Sequence, residues 1–205
     1  MPTETVVALY LLVCLILYFT FNLYNILRVH KRGSGLKVYA AVERPLGVTV
    51  GLAAVGTLAY FFEMFLYLFL VFAGFISGLN DFLSLRFPFS FQLQIVGLSL
   101  TSLGYFLFIW SVVARGRYAL SWKMPENQKL VTWGPYRHGR HPSYFGYFLM
   151  FFGFFFLWPN FLTLFPLIAI PGYHRTTLDE ERLLVQRFGD EYLEYQKKVG
   201  RFFLV

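Results

Sequence analysis

Residues 142–173 read PSYFGYFLMFFGFFFLWPNFLTLFPLIAIPGY, a run without a single charge that is broken near its middle by Trp158-Pro159-Asn160. A helix crosses the roughly 30 Å apolar core of a bilayer with about 20 residues, so the run exceeds one crossing. Pro-Asn is a turn signal rather than helix interior, which favours a hairpin of two short limbs. The choice decides the fold. Only a hairpin brings the chain beyond residue 173 back to the face that carries residues 134–141.

Charge tests the choice, because Lys and Arg collect on the cytoplasmic side of membrane proteins. With a hairpin, 17 of the 18 basic residues fall on one side and only Arg86 on the other. A single crossing divides them 11 against 7. The expected architecture is therefore all-α: a polytopic membrane protein with about five transmembrane helices, the last two a short hairpin. Its N-terminus lies outside, and a C-terminal amphipathic helix lies in the cytosol.

Composition agrees. The chain is 57% hydrophobic, 21% aromatic and 14% charged, with a mean hydropathy of +0.55. That is too little polar surface to coat a soluble globule of 205 residues. The net charge of +7 would suggest nucleic acid in a soluble protein. Here the basic residues flank apolar runs, which encodes topology and meets anionic headgroups, so no nucleic-acid partner is expected. Cys14 is the only cysteine, which excludes an internal disulfide and a Cys-based zinc site.

Upstream of the hairpin, residues 6–27 are uncharged and long enough for a first crossing. Thr3 and Glu4 precede them without Lys or Arg, so the segment lacks the basic start of a cleavable signal and is expected to stay. A basic loop follows with Arg28, Lys31, Arg32, Lys37 and Arg44, and Gly33 and Gly35 break the helix there. Residues 46–79 are apolar except for Glu63, and Gly47 and Gly51 form a small-xxx-small face for close packing. Glu63 lies about 25 Å along the helix from Leu46 by helical rise, which places it at the far interface in solvent. Residues 89–114 form a third helix that ends in Arg115-Gly116-Arg117, and residues 121–132, polar with Pro125, read as a loop. The whole chain, 1–205, is one membrane domain. Residues 1–120 hold the first three helices, and 121–205 hold the loop, the hairpin and the C-terminal helix.

The tail opens with Thr177-Leu178-Asp179-Glu180, a capping-box pattern, and continues with Leu184, Phe188, Tyr192, Tyr195 and Val199 at helical spacing, bent at Gly189. Spacing alone leaves open whether Glu180 and Glu181 complement the helix dipole or belong to a site. Facing them across the hairpin is Gly134-Pro-Tyr-Arg-His-Gly-Arg-His-Pro-Ser-Tyr-Phe-Gly146, where turn residues, rings and fixed charges crowd together. His138 and His141 at i, i+3, with His174 and two glutamates, raise a metal site. Pro142 spoils a helical face across the two histidines, and no metal is expected. Arg137 and Arg140 also suit headgroup anchoring. Bottom-up, the result is a membrane protein with a cytosol-facing pocket of Arg, His and Glu.

At these residues the sequence resembles the isoprenylcysteine carboxyl methyltransferase family. The resemblance rests on LVTWGPYRHGRHPSYFG over 130–146, DEERLL over 179–184 and FGDEYLEYQKKV over 188–199. Phospholipid N-methyltransferases resemble it more distantly. The resemblance implies an integral-membrane enzyme that takes S-adenosylmethionine from the cytosol and a lipophilic acceptor from the bilayer, most simply an isoprenylcysteine-type carboxylate. It implies cofactor contacts from Gln128, Leu130, Val131, Gly134, Pro135, Tyr136, His141, Tyr144, Glu180 and Glu181. It also implies catalytic roles for Arg140, at the junction with the acceptor, and for Glu180 and Glu181. Many relatives carry His where Gln128 stands, and Gly200 stands where Pro often follows the final Val. An amine acceptor would need Glu180 or Glu181 as base, whereas a carboxylate needs only orientation by a cation such as Arg140. A phospholipid-amine methyltransferase and a nicotinamide-dependent membrane reductase are the alternatives.

Overall fold

A computed structural model describes residues 3–33, 38–41, 47–116, 123–125 and 128–203. Gly35, Lys37, Arg44 and Arg117 lie outside the described residues. In chain order the elements are α1 (Glu4–Gly33), β1 (Val38–Ala41), α2 (Val48–Phe72), α3 (Ile76–Leu83), α4 (Ser90–Arg115) and β2 (Lys123–Pro125). Then come a 3-10 turn at Gly134–Arg137, α5 (Pro142–Leu157), a 3-10 segment at Leu162–Ile168, α6 (Ala169–Phe188) and α7 (Asp190–Lys198). Among the described residues three spans are long and apolar enough to cross a membrane: Glu4–Leu27, Val48–Phe72 and Ser90–Arg115. The apolar α5 is shorter. Large apolar side chains such as Leu9, Val13, Phe62, Phe69 and Phe106 stay exposed along these helices, as befits surfaces solvated by lipid.

The hairpin forms where Trp158-Pro159-Asn160 predicts it. Asn160 closes the turn: its Nδ2 donates to the Trp158 carbonyl at 2.8 Å, and its Oδ1 accepts from the amides of Leu162 at 2.8 Å and Thr163 at 3.2 Å. The turn is pinned to the start of the chain. The Trp158 indole donates to Asn80 Oδ1 at 2.9 Å, and Asn80 Nδ2 donates to Glu4 Oε1 at 3.1 Å. From the turn the 3-10 segment and α6 return along α2 to the opposite end of the bundle. There α6 meets the start of α5, and the site forms.

Helix contact without water needs shape rather than hydrophobic drive, and glycines supply it between α4 and α5. A methyl group on Gly104 would sit 2.7 Å from the Gly146 carbonyl oxygen, and one on Gly153 would sit 2.6 Å from the Thr101 amide. The predicted Gly47/Gly51 face does not do this: nothing lies within 4 Å of a methyl at Gly51. On α2 the close approach comes later, at Gly56, where a methyl would be 2.8 Å from the Pro166 carbonyl oxygen. Buried and half-buried hydroxyls pair across helices, Tyr18 with Tyr147 at 2.6 Å and Thr57 with Tyr173 at 2.8 Å, so these polar tips are satisfied inside the apolar bundle.

Four further expectations change. The second helix stops at Phe72, where Gly74 takes a left-handed φ of 77° and α3 starts a new direction. Glu63 is not solvated at an interface but buried, at 5% exposure, and its Oε2 has no hydrogen-bond partner among the described residues. Seven residues after Gly56, it falls on the same packed face of α2. The segment read as a loop contains β2, which pairs antiparallel with β1 in a two-stranded ribbon. Thr177 caps nothing: α6 is already running from Ala169, and the hydroxyl donates to the His174 carbonyl at 2.8 Å. The break at Gly189 is present, with φ of 55° between α6 and α7.

Candidate active site

The 3-10 turn at 134–137 is placed by the end of α4. Gly134 adopts φ of 62°, and a methyl there would lie 3.1 Å from Ala114 Cβ, so only glycine lets the turn sit this close. The Trp133 indole donates to the Ala114 carbonyl at 3.1 Å. From the other side the Tyr195 hydroxyl on α7 donates to the Tyr136 carbonyl at 2.5 Å. The turn, the end of α4, the start of α5 and the α6–α7 elbow thereby enclose a cleft of about 790 Å³ with its open mouth.

Its walls are Arg115, Gln128, Lys129, Leu130, Val131, Tyr136, Arg140, His141, Ser143, Tyr144, Glu180, Leu183, Leu184, Phe188, Tyr192 and Tyr195. Eight of the residues implied by the family resemblance therefore converge here: Gln128, Leu130, Val131, Tyr136, Arg140, His141, Tyr144 and Glu180. Gly134, Pro135 and Glu181 do not line it. Gly134 and Pro135 shape the turn, and the Pro135 carbonyl accepts from the amides of His138 at 3.1 Å and Gly139 at 3.3 Å.

Glu181 sits behind the wall as the centre of a clasp. Its carboxylate accepts from Arg140 Nε at 2.9 Å, His141 Nε2 at 3.2 Å, Gln196 Nε2 at 3.2 Å and Arg201 Nε and Nη2 at 3.2 and 3.0 Å. Burial alone would raise its pKa. The bonds from His141, Arg201 and Arg140 outweigh burial and hold it well below the usual carboxylate range. Arg140 extends the clasp by donating from Nη1 to the carbonyls of Gln196 at 3.3 Å and Val199. The amides of Arg140 and His141 each donate at 3.0 Å, to the Gly200 and Arg201 carbonyls respectively. The tail after α7 is thus strapped onto the loop before α5.

Glu180, one residue earlier, faces the cleft. Its Oε1 accepts from the Tyr144 hydroxyl at 2.6 Å, and its Oε2 lies 3.4 Å from His141 Nδ1. His141 therefore stands between two carboxylates, one at each ring nitrogen. Burial disfavours its charge, but the bonds to Glu180 and Glu181 prevail, and its pKa is raised. Its ring stacks on Tyr144 with centroids 5.7 Å apart. Burial also pushes the Tyr136 hydroxyl to about 12, so it remains a neutral donor. The other two histidines of the metal reading do not converge with His141: His138 stacks on Phe203, and His174 lies by Phe202. Among the described residues no group of three His, Cys, Asp or Glu is arranged to hold a metal ion.

Three atoms of residues that line the cleft are buried without a hydrogen-bond partner among the described residues: Arg115 Nε, Gln128 Oε1 and the Tyr192 hydroxyl. A cation, a carboxylate, an amide and several rings around one cleft suit a ligand that is zwitterionic at one end and aromatic at the other. Sequence reasoning counted Arg115 only toward topology and did not single out Ser143 or Leu183. The clasp partners Gln196 and Arg201 were missed as well.

Residues 93–191 match the model of the family described as phospholipid methyltransferase. The chain is 36% identical over 126 residues to the Protein-S-isoprenylcysteine O-methyltransferase of Schizosaccharomyces pombe, covering 56% of this chain and 53% of that protein. It is 32% identical over 112 residues to the Protein-S-isoprenylcysteine O-methyltransferase of Xenopus laevis, covering 52% and 39%. To the Protein-S-isoprenylcysteine O-methyltransferase B of Arabidopsis thaliana it is 31% identical over 108 residues, covering 50% and 55%. The chain is thus similar, over about half its length, to proteins named isoprenylcysteine O-methyltransferases. It spans about half the length of the curated relatives it matches, or less. The matched stretch runs from the start of α4 to the start of α7, the elements that build the cleft. These relatives are named O-methyltransferases, which does not favour the reductase or amine alternatives.

Proposed function

We propose that this protein is an integral-membrane methyltransferase that moves a methyl group from S-adenosylmethionine to the carboxylate of a lipophilic, isoprenylcysteine-type acceptor. The observation that carries the reading is the cleft itself, where Glu180 and five rings face Arg115 and Arg140 at the end of an apolar bundle. When bound, the cofactor supplies an electrophilic methyl group on a sulfonium. Glu180, oriented by Tyr144 and His141, presents fixed negative charge to the cationic end of that ligand. Tyr136, Tyr144, Phe188, Tyr192 and Tyr195 offer ring faces to the adenine and the sulfonium.

A carboxylate acceptor is ionised near neutral pH, so no base is needed, and the chain must orient it and exclude water. Arg140 suits the orienting role, because its hydrogen bonds use Nε and Nη1 and leave Nη2 as the donor for an acceptor oxygen. Glu181, saturated by five donors and held ionised, acts by fixing Arg140. The strap over residues 199–201 helps to exclude water by closing the cleft on the tail side.

The orientation follows the charge asymmetry. Five crossings with the N-terminus outside put the cleft and the α6–α7 elbow in the cytosol, where the cofactor is found, and α5 with its return limb makes the last two crossings. Phe82→Cys and Thr132→Cys, both at exposed positions, check this with an impermeant maleimide. Labelling of residue 82 from outside and of 132 only from inside is expected, and the reverse overturns the orientation. For the activity, the purified full chain is incubated with tritiated S-adenosylmethionine and a free-carboxylate prenylcysteine. Label released by mild base identifies a methyl ester. Label that enters only phospholipid amines and survives base overturns the carboxylate reading.

A further inference from the structure

The cleft contains four candidate cations, and three of them are committed or outside. Arg140 is fixed by Glu181 and two carbonyls and keeps only Nη2, which the acceptor takes, His141 lies between two carboxylates, and Lys129 is exposed at the mouth. Arg115, the last residue of α4, differs from all of them. It makes no ion pair with any described residue, and its Nε is buried without a hydrogen-bond partner among them. Glu180 is near enough to act on its charge but does not pair with it, and a guanidinium in a protein wall is costly until a partner takes its donors.

Glu180 already offers negative charge to an ammonium, so an amino-acid end has both its partners in one cleft only if Arg115 takes the carboxylate. We propose that Arg115 holds the α-carboxylate of the methyl donor's amino-acid end. Planar fork geometry suits the role, because two parallel N–H donors match two carboxylate oxygens. Trp133 and Gly134, packed on Ala114, position the end of α4 for it. The inference rests on the methyl-donor reading above and names the residue that reading lacked.

The test compares equilibrium binding of two ligands to the purified full chain: S-adenosylhomocysteine and its decarboxylated counterpart, which keeps the amine. The wild type is expected to bind S-adenosylhomocysteine more tightly. Arg115→Gln is expected to weaken that ligand by about tenfold to a hundredfold, the range of a charge-assisted bond, while leaving the decarboxylated ligand within about twofold. Arg115→Lys should recover part of the loss. Equal affinity of wild type for the two ligands overturns the assignment of Arg115, as does an equal loss of both in Arg115→Gln. Failure of the wild type to bind either ligand overturns the methyl-donor reading itself, and this inference with it.

Discussion

The seam between α4 and α5 and the clasp around Glu181 join helices by opposite means. The seam carries no charge. Gly97, Gly104, Gly146 and Gly153 let two backbones touch, and its strength lies in shape. The clasp has little shape and much charge, with one carboxylate tying α6, the loop before α5 and the tail through four side chains. The difference follows the surroundings: inside lipid an unpaired polar group is prohibitive, whereas at the bundle's end ions can be traded with water. A rigid seam therefore fixes one wall of the cleft, and an ionic clasp holds the other.

The largest effect is expected from Glu181→Ala, which leaves two arginines and a histidine facing each other. A loss of about 3–5 kcal/mol in chemical denaturation is expected, as for breaking a buried pair from one side. Stability like that of the wild type would show that the clasp is ornamental. Next, Gly104→Val should cost about 1–3 kcal/mol by forcing α4 off α5, while Gly51→Val leaves the melting temperature unchanged because its site is open. Equal effects at the two glycines would erase the seam. Glu180→Gln sharpens the contrast between neighbouring carboxylates: affinity for S-adenosylhomocysteine should fall about tenfold, near 1.4 kcal/mol, with less effect on stability than Glu181→Ala. The smallest effect concerns pH. The folded-state pKa of His141 is raised, so its contribution is fully present below about 6.5 and is lost as pH climbs through the raised value. Melting temperature should decline on that alkaline side, and His141→Gln should flatten the decline.

The hairpin was legible because Pro and Asn act locally: the fixed ring and the side-chain turn need no partner to declare themselves. The bounds of α4 and the break at Gly189 were legible for similar reasons. Glycine motifs behave differently. Gly47 and Gly51 match a pattern, yet what matters is whether another backbone lies opposite, and the heptad-spaced pairs Gly97/Gly104 and Gly146/Gly153 were the usable signal. For Glu63, helical rise gave a depth but not the face of α2 on which it sits. Thr177 fitted a cap only on the assumption that a helix began there. In the site, ring and charge residues of the 134–146 segment were visible as a cluster. Arg115 was not, since a basic residue closing an apolar helix is what topology alone would put there.

The bonds that run from Glu4 through Asn80 to Trp158 link the beginning of the chain to a turn more than 150 residues later. Such closure cannot occur early in synthesis. Only after residues 158–160 have turned can this end of the bundle lock onto the first helix. Helices that associate this late are open to capture by other membrane segments in the meantime. Asn80→Ala should therefore lower the yield of folded protein from cells more than it lowers the melting temperature of the molecules that do fold.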